Sequence, residues 1–140
     1  MRIHSSTVRR ASDLLMKGVG MKVVTEVVNR TPVDTGKARS NWQVTTGQPA
    51  TGERPPYAPG SHLGRNETAN AAAAVASARS ALATHGQGRT IYITNNVNYI
   101  EKLNHGWSQQ APANFVVHGI MTVKPFIRGQ KILSRRGLGL

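Results

Sequence analysis

Residues 5–30 constrain this chain more than any other stretch, because their apolar pattern fits one regular conformation. Val8, Ala11, Leu14, Leu15, Val19, Val23, Val24, Val27 and Val28 recur at spacings of three and four. That spacing lays a single apolar stripe along an α-helix. Ser5 or Ser6 can cap its start. Pro32 pushes Thr31 out of the helical region, so the helix ends near Arg30. Gly18 and Gly20 weaken the middle, each costing up to about 1 kcal/mol in a helix interior, and any kink belongs there.

The rest of the chain must cover that stripe. Residues 41–46 alternate, with Trp42 and Val44 on one face and Gln43 and Thr45 on the other, as in a half-buried strand. Residues 89–95, RTIYITN, form the best strand, with Ile91 and Ile93 facing one way. Between the two strands, residues 47–65 are rich in Gly and Pro and exclude a regular element. In an assembly protein such a loop would be an extended arm that orders against a neighbour. Residues 66–84 favour a helix of small side chains, with Asn66 as its cap. The alternative is a poorly ordered, low-complexity segment. Residues 98–105 predict a short helix stopped by Gly106. Asn114 caps a last helix with Phe115, Val116, Ile120, Met121 and Val123 as apolar positions, and Pro125 kinks or breaks it.

Few strands that do not alternate strictly with helices give an α+β class. The expected architecture is a small antiparallel or mixed β-sheet packed against the long N-terminal helix. Additional short helices and the long Gly/Pro-rich loop complete it. Residues 1–140 read as one domain, in which 124–140 form a basic C-terminal segment. The chain has two Trp, three Tyr and two Phe. Its core is therefore expected to be modest, with partner subunits supplying further burial.

Lys and Arg number 18 against 6 Asp and Glu, a net charge of +12. A charge of that size implies anionic company. The cations are scattered, and the field reads as diffuse, sharpest at the C-terminal end. There is no cysteine, which excludes a disulfide framework and fits a reducing cytoplasm. No apolar run approaches the roughly 18 residues of a membrane span. The N-terminus lacks a signal peptide's apolar core, so a soluble protein that stays where it is made is expected.

Asp34-Thr35-Gly36 repeats the triplet that aspartic proteases use, but that chemistry needs two carboxylates sharing a proton. One chain offers one copy, and Lys37 and Arg39 would hold Asp34 ionised. A rigid turn, with Gly36 at positive φ, accounts for the triplet better. Gly36-Lys37 is not a phosphate loop, because Thr31 and Ala38 stand where a glycine and a Ser or Thr are required. His4, His62, His85, His105 and His118 lack metal-ligand spacing and read as surface or singly bonded side chains. No nucleophile–His–acid constellation is supported, and neither an enzyme nor a cofactor is expected. Lys124, Arg128, Lys131, Arg135 and Arg136 could meet phosphates or an acidic partner. A nonspecific nucleic-acid-binding basic protein is the alternative reading.

Two stretches, VVNRTPVDTGKARSNW and YITNNVNYIEKLNHGWSQQAPANFV, together resemble the neck, tail-completion or head–tail joining proteins of long-tailed bacteriophages. The matching positions are Thr31, Pro32, Val33, Asp34, Thr35, Gly36, Arg39 and Ser40, with Trp42 opening the strand that follows. Farther on come Asn96, Tyr99, Glu101, Gly106, Ala111 and Pro112. The resemblance covers most of the chain outside 47–88. The Ala-rich segment at 66–84 and the basic tail are not part of the pattern. The resemblance implies a non-enzymatic virion protein at the head–tail junction, assembled in the host cytoplasm. It implies a homo-oligomeric ring, a hexamer, with DNA passing through its lumen. Its partners would be other neck and tail proteins: a connector or stopper, and a tail terminator or tube.

Overall fold

The computed structural model describes residues 5–32, 36–60, 66–86, 89–108 and 113–128, with backbone only at 5–9 and 11. In chain order the elements are α1 (Ser5–Arg30), α2 (Lys37–Ser40), β1 (Trp42–Thr46), α3 (Glu67–Ala83), β2 (Ile91–Asn95), α4 (Ile100–Asn104) and α5 (Phe115–Met121). A helical turn follows at 124–128, with Pro125 inside it. The class is α+β.

β1 and β2 form a two-stranded antiparallel sheet in which Val44 faces Ile93 and Trp42 faces Asn95. Trp42 and Val44 point into the core, as the alternation requires, and Ile91 and Ile93 pack beside them. A sheet of two strands is marginal alone. Here α1 and α3 cover its apolar face, and the core joins Val24, Val27 and Val28 to Ala71, Ala74, Ala78, Leu82 and Phe115.

α3 runs antiparallel to α1. Its first turn meets the end of α1 through Arg39, which pairs with Glu67 and bonds Asn29 O and Thr31 O, and Leu82 reaches Gly20. The small residues of α3 are a packing device, because Ala71, Ala74 and Ala78 all face inward and let the helix come close. The same holds for Gly20: a Cβ there would stand 3.3 Å from Leu82 Cδ2. α1 is one unbroken helix through both glycines, so they serve close approach.

Among the described residues, the apolar stripe of α1 is buried in its second half. Leu14 is 64% exposed and Met16 44%. The reason is length. α1 has 26 residues and α3 has 17, about 39 Å against 25 Å at the helical rise. The N-terminal part of α1 therefore extends past the layer that covers the rest.

α5 differs from expectation in its buried face. Phe115 and Gly119 turn inward, while Ile120 and Met121 are exposed. Gly119 presses on α1, where a Cβ would stand 3.3 Å from Val27 Cγ1. That contact sets the rotation of the helix and leaves Val117, Ile120 and Met121 outside. The capping also differs. Asn66 and Asn114 both occupy N-cap positions in the left-handed region, and neither side chain caps its helix. The Asn66 amide donates to Pro59 O. α5 is capped from a distance instead: Val116 N donates to Asn104 Oδ1 at 3.1 Å.

Helix propensity alone would reward a larger residue at Gly20. The contact with Leu82 predicts the opposite for Gly20→Val. That variant should lose about 1–3 kcal/mol of stability, read from its midpoint in chemical denaturation. An unchanged midpoint would show that α1 and α3 do not meet this closely.

Candidate functional site

The corner after α1 is the most densely bonded part of the described chain. A helix end leaves carbonyls without partners and carries a partial negative charge. Arg39 answers both. Its Nε donates to Thr31 O at 2.9 Å and its Nη2 to Asn29 O at 3.2 Å. Its Nη1 pairs with Glu67 Oε1 at 2.8 Å. Arg39 is buried, and so is Thr31. Thr31 Oγ1 donates to Val27 O and accepts the indole N–H of Trp42 at 2.8 Å. Pro32 is buried alongside.

Gly36 then turns the chain at φ 81° and opens α2. Its missing Cβ is required twice over: the φ is left-handed, and a Cβ would collide with the Asn70 side-chain amide. Val33, Asp34 and Thr35 lie outside the described residues, and with them the Asp34 carboxylate.

Two buried carboxamides hold the Gly/Pro-rich loop. Asn70 Oδ1 accepts from Ser40 Oγ at 2.9 Å and from Ala58 N at 2.8 Å. Its Nδ2 donates to Ala58 O at 2.8 Å and Asn66 O at 3.0 Å. That fills the capacity of the group. Asn41 does the same at Arg54, accepting from its N and donating to its O, both at 2.8 Å. Each amide thus bonds a loop residue as a neighbouring strand would. Ser40 Oγ also accepts from Tyr57 N, and the Arg54 guanidinium lies 3.3 Å over the Tyr57 ring. Residues 47–60 contain no helix or strand. They lie back on their own chain and do not extend away from it.

This loop joins the two motif stretches. Lys37 pairs with Glu53 at 2.5 Å, and Asn98 N donates to the other oxygen of Glu53 at 3.1 Å. The Lys37 bond, then that of Asn98, holds the Glu53 carboxyl below its ordinary range. The Asn95 amide donates to Ala38 O at 2.8 Å, and that of Asn96 to Ala50 O at 2.9 Å. Gly36, Arg39, Ser40 and Trp42 are therefore brought together, with the Asn-rich turn beside them. Tyr99 stands half-buried at the start of α4, and Glu101 is exposed in its first turn. Gly106 takes φ 90° against Ala113. Ala111 and Pro112 lie outside the described residues. No local sequence signal marks Asn41 and Asn70 for these roles, which depend on burial and on closeness in space.

His85 departs from the surface reading. It is buried, with Nδ1 2.6 Å from Asp13 Oδ1 and Nε2 2.7 Å from Arg89 O. Both partners are acceptors, so the ring bonds both at once only when each nitrogen carries a proton. The bond to His85 holds Asp13 below the usual carboxylate range, opposed by desolvation and helped by Lys17. His105 and His118 are exposed; His4 and His62 lie outside the described residues. Of the basic set, Lys124 and Arg128 are exposed, and Lys131, Arg135 and Arg136 lie outside. Among the described residues no group of three or more His, Asp or Glu could hold a metal. None of the described helices is long and apolar enough to cross a membrane. Comparison of the chain with protein-family models, curated proteins and solved structures yields no match in any of the three.

Gly36→Val should lower stability by about 2 kcal/mol or more, from left-handed strain and collision with Asn70. Lys37→Ala, at a solvated ion pair, should leave it nearly unchanged. Equal melting temperatures would contradict the corner. A depressed carboxylate stabilises the fold above its unfolded value and loses that contribution as pH falls through the folded value. Asp13 should therefore contribute fully at neutral pH and lose that contribution progressively as pH falls below about 4. Asp13→Asn should make the acid branch of the stability profile shallower; a profile parallel to the parent's would refute the pairing.

Proposed function

We propose that this chain is a structural neck or tail-completion protein of a long-tailed bacteriophage. Copies would form a ring, of six subunits by resemblance, that joins the tail to the head connector and lets DNA pass. The observation that carries this reading is the ordered pair of motif stretches, 27–42 and 92–116. Support comes from their spatial union. Residues Gly36 to Trp42 and the Asn95–Asn98 turn share one bonded corner through Ala38 and Glu53. A recurrent assembly unit needs such a rigid frame more than it needs a reactive group. Ser40 Oγ, a hydroxyl of this corner, is occupied by Asn70 and Tyr57 and is poorly placed for nucleophilic work.

The exposed apolar side chains also support it. Trp107 is 74% exposed, and Val117, Ile120 and Met121 each about half. Apolar surface left outside a small core is what neighbouring subunits would bury.

Particles assembled without the protein should accumulate as filled heads and separate tails in electron micrographs. Joined, infectious particles in its absence would overturn the proposal.

A further inference from the structure

Ion pairing is uneven along the folded chain. Three of the five described Asp and Glu side chains are ion-paired near the end of the molecule where α1 stops. Glu26 pairs with Lys22 and Arg30, Glu53 with Lys37, and Glu67 with Arg39. The first half of α1 carries one acid, Asp13, and its oxygens are taken by Lys17 and His85.

Three separate elements bring cations to that half. Arg10 lies one turn before Asp13 on α1 and is exposed. Arg89 is exposed in the segment that His85 fastens to Asp13, since His85 bonds Arg89 O. The turn at 124–128 crosses α1 at Gly18, where a Cβ would stand 3.4 Å from the Phe126 ring. It presents Lys124 and Arg128 to solvent. Among the described residues no carboxylate pairs with Arg10, Arg89, Lys124 or Arg128. The first turn of α1 carries no acid either, so the positive end of a 26-residue helix adds to the same field.

We infer that this pole, formed by the first half of α1, the Arg89 segment and the 124–128 turn, binds the phosphate backbone of duplex DNA without sequence preference. Two features favour phosphates over acidic protein. The cations are mostly arginines, whose planar fork suits phosphate oxygens. They are spread over three elements, which fits an extended polyanion better than a single carboxylate cluster. Leu14 and Met16, exposed on the same stretch of α1, are what an acidic protein would use instead, so the test includes one. The inference goes beyond the ring reading and does not rest on it. Particle assembly tests the ring; binding by the purified full chain tests the pole.

The experiment is a fluorescence-anisotropy titration of the full chain with a labelled mixed-sequence duplex at several salt concentrations. The triple variant Arg10→Gln, Arg89→Gln, Arg128→Gln is compared with Lys22→Gln, Arg30→Gln, Lys37→Gln, which loses equal charge at the other end. The first variant should bind at least about 10-fold more weakly, with a log–log salt slope reduced by about 2–3. The second should change affinity much less. Equal weakening by both variants would overturn the localisation. Absence of duplex binding by the parent would overturn the inference outright. Tighter binding of poly-glutamate than of duplex at matched charge would overturn it in favour of an acidic protein partner.

Discussion

The guanidinium of Arg39 is the interaction on which most of this structure depends. It sits under the last turn of α1, satisfies the carbonyls of Asn29 and Thr31, and pairs with Glu67. One buried cation thus meets the negative end of a long helix and a carboxylate at the start of another. Those contacts place the first turn of α3 beside the last turn of α1, and the antiparallel packing from Glu67 to Leu82 follows. A lysine offers a point charge and cannot bond in three fixed directions. The Trp42 indole, bonded to Thr31 Oγ1, ties the first strand to the same helix end.

Around that anchor the chain solves a second problem with side-chain amides. A Gly/Pro-rich segment has no ladder to hold its backbone groups, and buried ones left unbonded are costly. Asn41 and Asn70 supply the missing ladder at Arg54 and Ala58. The loop can then lie flat against the corner and carry Glu53 to Lys37 and Asn98. Two regions far apart in sequence become one surface because of a segment that has no regular structure of its own.

The folded chain also sorts its charge. Pairing at the end of α1 weakens the field there, because opposite charges a few ångströms apart largely cancel at a distance. The beginning of α1 lacks that compensation, and the same helix overhang exposes Leu14 and Met16. Reach beyond the core and surplus charge therefore coincide at one end, which is where an external partner would be met.

The sequence by itself determined the features that depend on near neighbours. The spacing of the α1 valines, the stop at Pro32, the alternation of Trp42 and Val44, and the turn at Gly36 all follow from local sterics and period. Tertiary structure alone decided what bonds to what. Nothing within a few residues of Arg39 indicates that it would cap a helix ending nine residues earlier. Nothing near Asn70 marks it as the partner of Ser40 and Ala58. It was also tertiary packing that exposed Leu14, Ile120 and Met121, because α3 is too short to cover all of α1 and Gly119 fixes how α5 is turned. The physical reason is one of range. Backbone sterics and periodicity act within a turn or two, whereas a hydrogen bond or a buried contact needs only closeness in space, which the folded chain supplies.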